Sequence, residues 1–380
     1  MIRQEQAPAL LHSASDLTHF LACEALTALD LRSLFDAQLA KKKVSLDDSG
    51  QLVADKGMAH EKAHLQRLMD QGKRVVDINT VAGRDLAERA QATQRAMADG
   101  ADVVYQATLV QGDLLGHADF LLKVDTPSSL GPWSYEVADT KLALHVQAKF
   151  LVQLSFYSHL LQPLQGKHPE HMQVVLGDES IQNFRCQDYT HYTQALLQRY
   201  RATVQTLQHN PLSAAYPLPC EHCDLCHWRE HCAQQRLDDD HLCQVAGIRK
   251  QQIIKLQDAG IHTLAALAQH APEQRVPRMQ AHTLLTLQRQ ASLQARGKAD
   301  GQLHHQLIAN VPGSLRGFER LPEPNEGDIY FDMEGDPLYA GGLEYLFGLW
   351  VRGQSEWTFK AFWAHNRQEE KKAFEDCIDF

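Results

Sequence analysis

The chain has 380 residues, 44% hydrophobic and 22% charged, which is ordinary globular composition and excludes a disordered chain. No stretch approaches the roughly 18 consecutive apolar residues of a membrane span, and the first eleven residues hold no apolar leader, so a cytoplasmic protein without a membrane partner is expected. The net charge of −10 speaks only weakly against a phosphate-rich partner, because a basic groove can sit on an acidic body.

In chain order, Ser15 and Asp16 open a helical pattern that puts Leu17, Phe20, Leu21, Leu26 and Leu29 on one face. A second helix is read over 56–71, then a β-like run at 75–78 and a polar helix over 83–97. Runs 103–110 and 114–124 are strands joined by Gln111-Gly112-Asp113, a hairpin signal. A third strand is read over 134–142, a helix over 146–161, two strands at 172–176 and 181–186, and a long helix over 189–209. This order suits an α/β fold, a mixed sheet flanked by helices. Residues 241–295 read as all helix, 322–327 as a linker, and 328–333 as a β run that begins something new. Three parts are therefore expected: 1–236, a small helical part at 237–300, and 301–380.

Four segments carry chemistry when taken together. Gly57-Met58-Ala59-His60-Glu61 sits on the second helix and Gly116-His117-Ala118-Asp119-Phe120 on a strand. Glu136-Val137-Ala138-Asp139-Thr140-Lys141 lies on the next strand, and Gln153-Leu154-Ser155-Phe156-Tyr157 on the helix after it. Hydrolysis of a phosphodiester calls for a hard divalent cation held by carboxylates, which Asp119 and Asp139 can supply. In a strand, i and i+2 share a face, so Asp139 and Lys141 project together. The ammonium can then orient a water or steady developing negative charge. His60 adds a nitrogen donor, which suits Mn²⁺ as well as Mg²⁺. Singly, each element has a plainer reading: an Asp-x-Lys is most often a solvated face, and Gln and Tyr four apart on a helix are usually just neighbours.

In order and approximate spacing, His60, Asp119, Asp139, Lys141, Gln153 and Tyr157 resemble the RecB-like family of the PD-(D/E)xK nuclease superfamily, over residues 1–236. The resemblance implies a restriction-endonuclease-like core and a metal-dependent deoxyribonuclease acting on single-stranded DNA or DNA ends in repair or recombination. It implies that Gln153 and Tyr157 shape the DNA side of the site. The alternative is a DNA-binding scaffold with a structural zinc site and an inactive nuclease core.

Cys220-x2-Cys223-x2-Cys226-x5-Cys232 is a compact metal-binding signature. Spacing alone leaves two readings open: a zinc held by four local thiolates, or an iron–sulfur cluster. Some RecB-like nucleases take one cysteine near the N-terminus and three from a Cys-x2-Cys-x5-Cys run after the core. That resemblance implies Cys23, Cys223, Cys226 and Cys232 as ligands of a [4Fe-4S] cluster, with Cys220 surplus. Cys186, Cys243 and Cys377 are read as ordinary thiols.

The part at 237–300, with Gly247 and Gly260 at its turns, has the look of a helix-hairpin-helix, although a plain helical connector with Gly C-caps fits as well. Farther on, Asp332 and Glu334 share a strand face and resemble the first motif of ribonuclease H-like exonucleases. The remaining motifs, and a fused superfamily 1 helicase, are expected beyond residue 380. A third reading makes Asp332 and Glu334 the main site of an RNA-directed enzyme. No Walker A motif is present, so no ATP hydrolysis by these residues is expected.

Overall fold

The computed structural model describes residues 1–3, 10–271, 274–309, 312–353 and 356–380, which form two compact units, Met1–His304 and His305–Phe380. In the first unit the apolar strand runs assemble into one mixed sheet. β1 (Ile2–Arg3) and β2 (Leu10–Ser13) form a small antiparallel pair. Three helical pieces follow, α1 (Ala14–Ala22), α2 (Glu24–Ser33) and the single turn α3 (Ala37–Ala40). Then come α4 (Asp48–Asp70), β3 (Val75–Asp77), the short α5 (Ile78–Val81) and α6 (Leu86–Ala98). The centre of the sheet is β4 (Val103–Gln111), β5 (Leu114–Val124) and β6 (Ser134–Thr140). It is completed by α7 (Ala148–Gln165), β7 (His171–Val175), β8 (Ile181–Arg185) and α8 (Gln187–His209).

β3 runs parallel to β4, β4–β5 and β5–β6 are antiparallel, β6 runs parallel to β7, and β8 closes antiparallel to β7. β2 adds to the start of β5 in parallel. One face of the sheet packs under α1, α6, α7 and α8 in a core that includes Leu17, Phe20, Leu121, Val137, Phe156 and Tyr200. On the other face Val103, Tyr105, Phe120 and Ala138 pack against Leu65 and Leu68 of α4. The molecule thus has the α/β architecture of a mixed sheet flanked by helices. Gly116 is required where α7 crosses β5: a Cβ there would stand 2.9 Å from side-chain carbons of both Tyr157 and Leu160.

The first helix differs from its expectation. It is broken at Cys23, which is extended (φ −160°, ψ 111°), caps the end of α1 through its N–H on His19 O and leads into α2. The break turns Leu21 outward, 37% exposed, and brings Leu26 and Leu29 onto a separate small core with Trp228. Helix α4 begins eight residues earlier than the expected 56, because Asp47 accepts the Gly50 N–H as its N-cap.

After α9 (Arg229–Asp238) come α10 (Lys250–Asp258), α11 (Leu264–Ala268) and α12 (Ala281–Asp300), three helices in the region 241–295 that read as all helix. They bury their own cluster, Leu242, Ile253, Leu256, Leu264, Leu284 and Leu287 among them. Gly247 and Gly260 take positive φ at the turns. The second unit is a β9 (Ile329–Asp336), β10 (Leu343–Arg352), β11 (Trp357–Trp363) meander with α13 (Arg367–Asp379) packed on Phe347 and Leu349. No helix among the described residues is long and apolar enough to cross a membrane.

Candidate active site

Register brings the acidic residues together. Phe120 pairs with Ala138 across β5 and β6, so the next step of the same register sets Asp119 beside Asp139. Asp139 is 1% exposed, and neither of its carboxylate oxygens has a hydrogen-bond partner. Lys141 Nζ comes within 2.6 Å of Asp139 Oδ2, at an angle that makes an ion pair and not a hydrogen bond. Strand β6 ends at Thr140, yet Lys141 keeps the extended register by donating its N–H to Val175 O, so Asp139 and Lys141 do project together. The Lys141 ammonium also lies 5.5 Å from the centre of the Phe150 ring at the start of α7.

Asp119 feels this arrangement most. Burial first, then the neighbouring Asp139 carboxyl and the charge of Glu61, push its pKa well above the ordinary carboxylate range, and Lys141 offsets only part of this. Two carboxyls in one buried place cannot both ionise cheaply without a cation.

Helix α4 delivers His60. Its inward stripe is Gly57, His60, Glu61, His64, Leu65 and Leu68, the i, i+3, i+4 spacing of one helix face. Gly57 faces Leu142, the residue after Lys141, and His64 meets the Phe120 ring edge-on at 5.1 Å, so His60 lies over the strands that carry the two aspartates. His60 Nε2 is buried and has no hydrogen-bond partner. On the opposite face α7 presents Gln153 and Tyr157, and the Gln153 amide donates to the Tyr157 hydroxyl at 3.1 Å. Burial, then the charge of Asp139, raises the Tyr157 phenol pKa.

The motif reading passed over two residues here. Glu61 Oε1 accepts from Tyr105 OH and from Gln106 Nε2, both at 2.6 Å, and Gln106 Nε2 lies 3.5 Å from Asp119 Oδ1. Glu61 was detectable in principle, as a carboxylate on the inward stripe of an amphipathic helix. Gln106 carries no sequence signal, since only strand pairing places it opposite Asp119.

The cysteines gather at one cavity. Cys23, Cys220, Cys223, Cys226 and Cys232 all line it, together with Trp228 and Arg236. Cys226 and Cys232 are buried, Cys23 packs on the same small core, and Cys220 is exposed. Backbone N–H groups already point at two sulfurs, Trp228 N–H to Cys226 Sγ and Cys220 N–H to Cys223 Sγ, both at 3.4 Å. Burial, followed by the charge of Cys226, pushes the Cys232 thiol up to about 11. As the side chains stand, no three His, Cys, Asp or Glu residues among the described ones close around a single ion.

A second set of contacts holds this loop to the start of the chain without any cysteine. Asp30 on α2 has His227 Nε2 at 2.7 Å and Lys43 Nζ at 3.2 Å, and accepts from Trp228 Nε1 at 3.0 Å. Val44 N–H donates to His227 O, and Arg229 donates to Ser45 O. Burial alone would raise the Asp30 carboxyl, but His227, Lys43 and Trp228 overcome it and hold the pKa at about 2.

In the second unit Asp332 and Glu334 lie on β9, opposite Gly348 and Leu346 of β10. Both are exposed, and Asp332 Oδ1 accepts the neighbouring Met333 N–H. No protein-family model matches this chain, and no curated protein matches it.

Proposed function

We propose that this chain is a metal-dependent DNA nuclease on a PD-(D/E)xK core, with an iron–sulfur cluster held by Cys23, Cys223, Cys226 and Cys232. The observation that carries the reading is Asp139, a buried carboxylate that faces the half-buried Asp119 carboxyl, the two sharing the Lys141 ammonium that stands 2.6 Å from Asp139 Oδ2. Two facing carboxyls with one ammonium cost free energy unless a proton or a further cation completes them.

Asp119 and Asp139 would hold Mg²⁺ or Mn²⁺, with His60 Nε2 as a further donor. The ion supplies charge neutralisation at the phosphate and an acidified water. Lys141, tethered by Asp139, presents its ammonium to developing negative charge. Tyr157, steadied by Gln153, limits the space beside the carboxylates. The cysteine cavity fits a cluster in donor chemistry: soft sulfur donors, two of them already meeting backbone N–H groups. A zinc held by Cys220, Cys223, Cys226 and Cys232 is the second reading, favoured by the 3.9 Å approach of the Cys220 and Cys223 sulfurs.

Cleavage of labelled single-stranded DNA, with Mg²⁺, Mn²⁺ or chelator, tests the proposal. Wild-type protein should cut only with the ion, and Lys141→Ala should lose cleavage while its melting changes little. A Lys141→Ala protein that cuts at the wild-type rate rules the assignment out.

A further inference from the structure

Gln106 sits in the middle of β4 with φ +55°, the left-handed region that a non-glycine residue rarely enters inside a strand. The β4–β5 ladder pairs Tyr105 with Phe120 and Ala107 with Ala118, but it skips the step between, Gln106 opposite Asp119. The break also resets which face each strand presents. Tyr105 and Phe120 pack beneath α4, whereas Ala107 and Ala118, two positions away, belong to the core on the other face. Unbroken strands would keep each of those pairs on one side.

The distortion has a chemical correlate. It leaves the Gln106 amide 2.6 Å from Glu61 Oε1 and 3.5 Å from Asp119 Oδ1, the second at the outer limit of hydrogen bonding. Glu61 is fixed in turn by the Tyr105 hydroxyl at 2.6 Å. Irregular strand geometry re-aims side chains next to active sites, and strained backbone persists where the surroundings over-determine it.

We infer that Gln106 is a positioning residue: the left-handed kink of β4 holds its amide between Glu61 and Asp119 and so sets the Asp119 carboxylate to receive a divalent cation. The inference rests on the metal-dependent reading above and adds a residue to it. The amide acts through Asp119, so removing it should weaken the ion's hold and leave the fold intact. A kink that served only the twist of the sheet would make the opposite link, since losing its side chain would cost stability and leave ion binding alone.

The test uses the full chain with Gln106→Gly and Gln106→Asn. Three quantities are read: Mn²⁺ affinity by calorimetry, melting of the metal-free protein, and cleavage as a function of Mn²⁺ concentration. Glycine relieves the left-handed φ and deletes the amide. Melting should therefore hold or rise while Mn²⁺ affinity falls about tenfold or more, with cleavage recovering as Mn²⁺ is raised. Asparagine tolerates the left-handed region and keeps a shorter amide, so its affinity should fall between the two. A Gln106→Gly protein that binds Mn²⁺ like wild type overturns the inference alone. So does one whose melting falls with affinity unchanged, or whose melting and affinity fall together. Wild-type protein that takes up no Mn²⁺ overturns both this inference and the metal-dependent reading.

Discussion

Asp139 is buried and Asp119 half-buried beside it on the neighbouring strand, with one lysine as their nearest counter-charge, whereas Asp332 and Glu334 stand exposed on a single strand of the other unit. As strings of residues the two sets look equally suggestive, acids on apolar strands spaced for one face. Their circumstances differ in cost. An exposed carboxylate is solvated and needs nothing further. A buried pair is unfavourable by several kcal/mol unless protonated, paired or bound to a cation. Free energy spent on burial therefore separates a candidate site from a solvated strand better than the spacing of the acids does.

The comparison would break most visibly at Lys141. Its replacement by alanine should lower metal-dependent cleavage by about 10²–10³-fold, and an unchanged rate would leave the buried pair with no distinction over the exposed one. Asp139→Asn sharpens the point from the stability side. Cleavage should fall as far, while the metal-free protein gains about 1–3 kcal/mol because two facing carboxyls become one. The sign follows from Asp119, whose carboxyl binds its proton more tightly in the fold than in the unfolded chain. Its contribution to stability is lost as pH rises above the unfolded value of 3.8 toward the raised folded one, and the Asn variant should lose that slope in thermal melts.

The cysteine centre gives the next effect in size. If Cys23 is a ligand, Cys23→Ser should leave purified protein without its iron, while Cys220→Ser keeps it. Zinc on the four local cysteines predicts the reverse, and metal analysis of both variants decides. Neither change should release α2 from the loop. Asp30→Ala should do so, costing about 3 kcal/mol by stranding His227, Lys43 and the Trp228 N–H, measured by denaturant unfolding.

A smaller effect tests the packing beneath α4. His64 is buried neutral against Phe120. Burial first, then Arg67 and His60, hold its pKa at about 4, from an ordinary 6.5. The depressed pKa contributes stability that is present above 6.5 and lost as pH falls through that window toward 4, by on the order of 2 kcal/mol. His64→Leu should flatten this part of the stability profile. Smallest of all, Asp332→Ala combined with Glu334→Ala should leave cleavage unchanged. A clear loss would show that exposed acids serve the reaction and that burial is a poor guide.

The central hairpin, the alternation of β6 and the helix that carries Gln153 and Tyr157 were legible from periodicity, because each faces a large core. The start of α4 was not: residues 48–56 are mostly exposed, with Leu52 and Val53 half open to solvent, so no apolar period marks them. The break at Cys23 was hidden for the opposite reason, since apolar residues continue through it at helical spacing. His60, Asp119, Asp139 and Lys141 stood out as candidates through their order and the family resemblance it carries. Gln106 did not, because the skipped ladder step that sets its amide by Asp119 is not encoded in local propensity.

The Asp30 contacts reach across 197 positions to His227 and 198 to Trp228. A ribosome adds about 5–20 residues each second. The first helices therefore leave it with Leu26, Leu29 and Asp30 lacking their partners for roughly 10–40 seconds. During that interval the nascent chain carries an open apolar face and an unsatisfied acid. These helices are thus made well before the loop that completes them, which leaves an interval in which a chaperone could shield their apolar face.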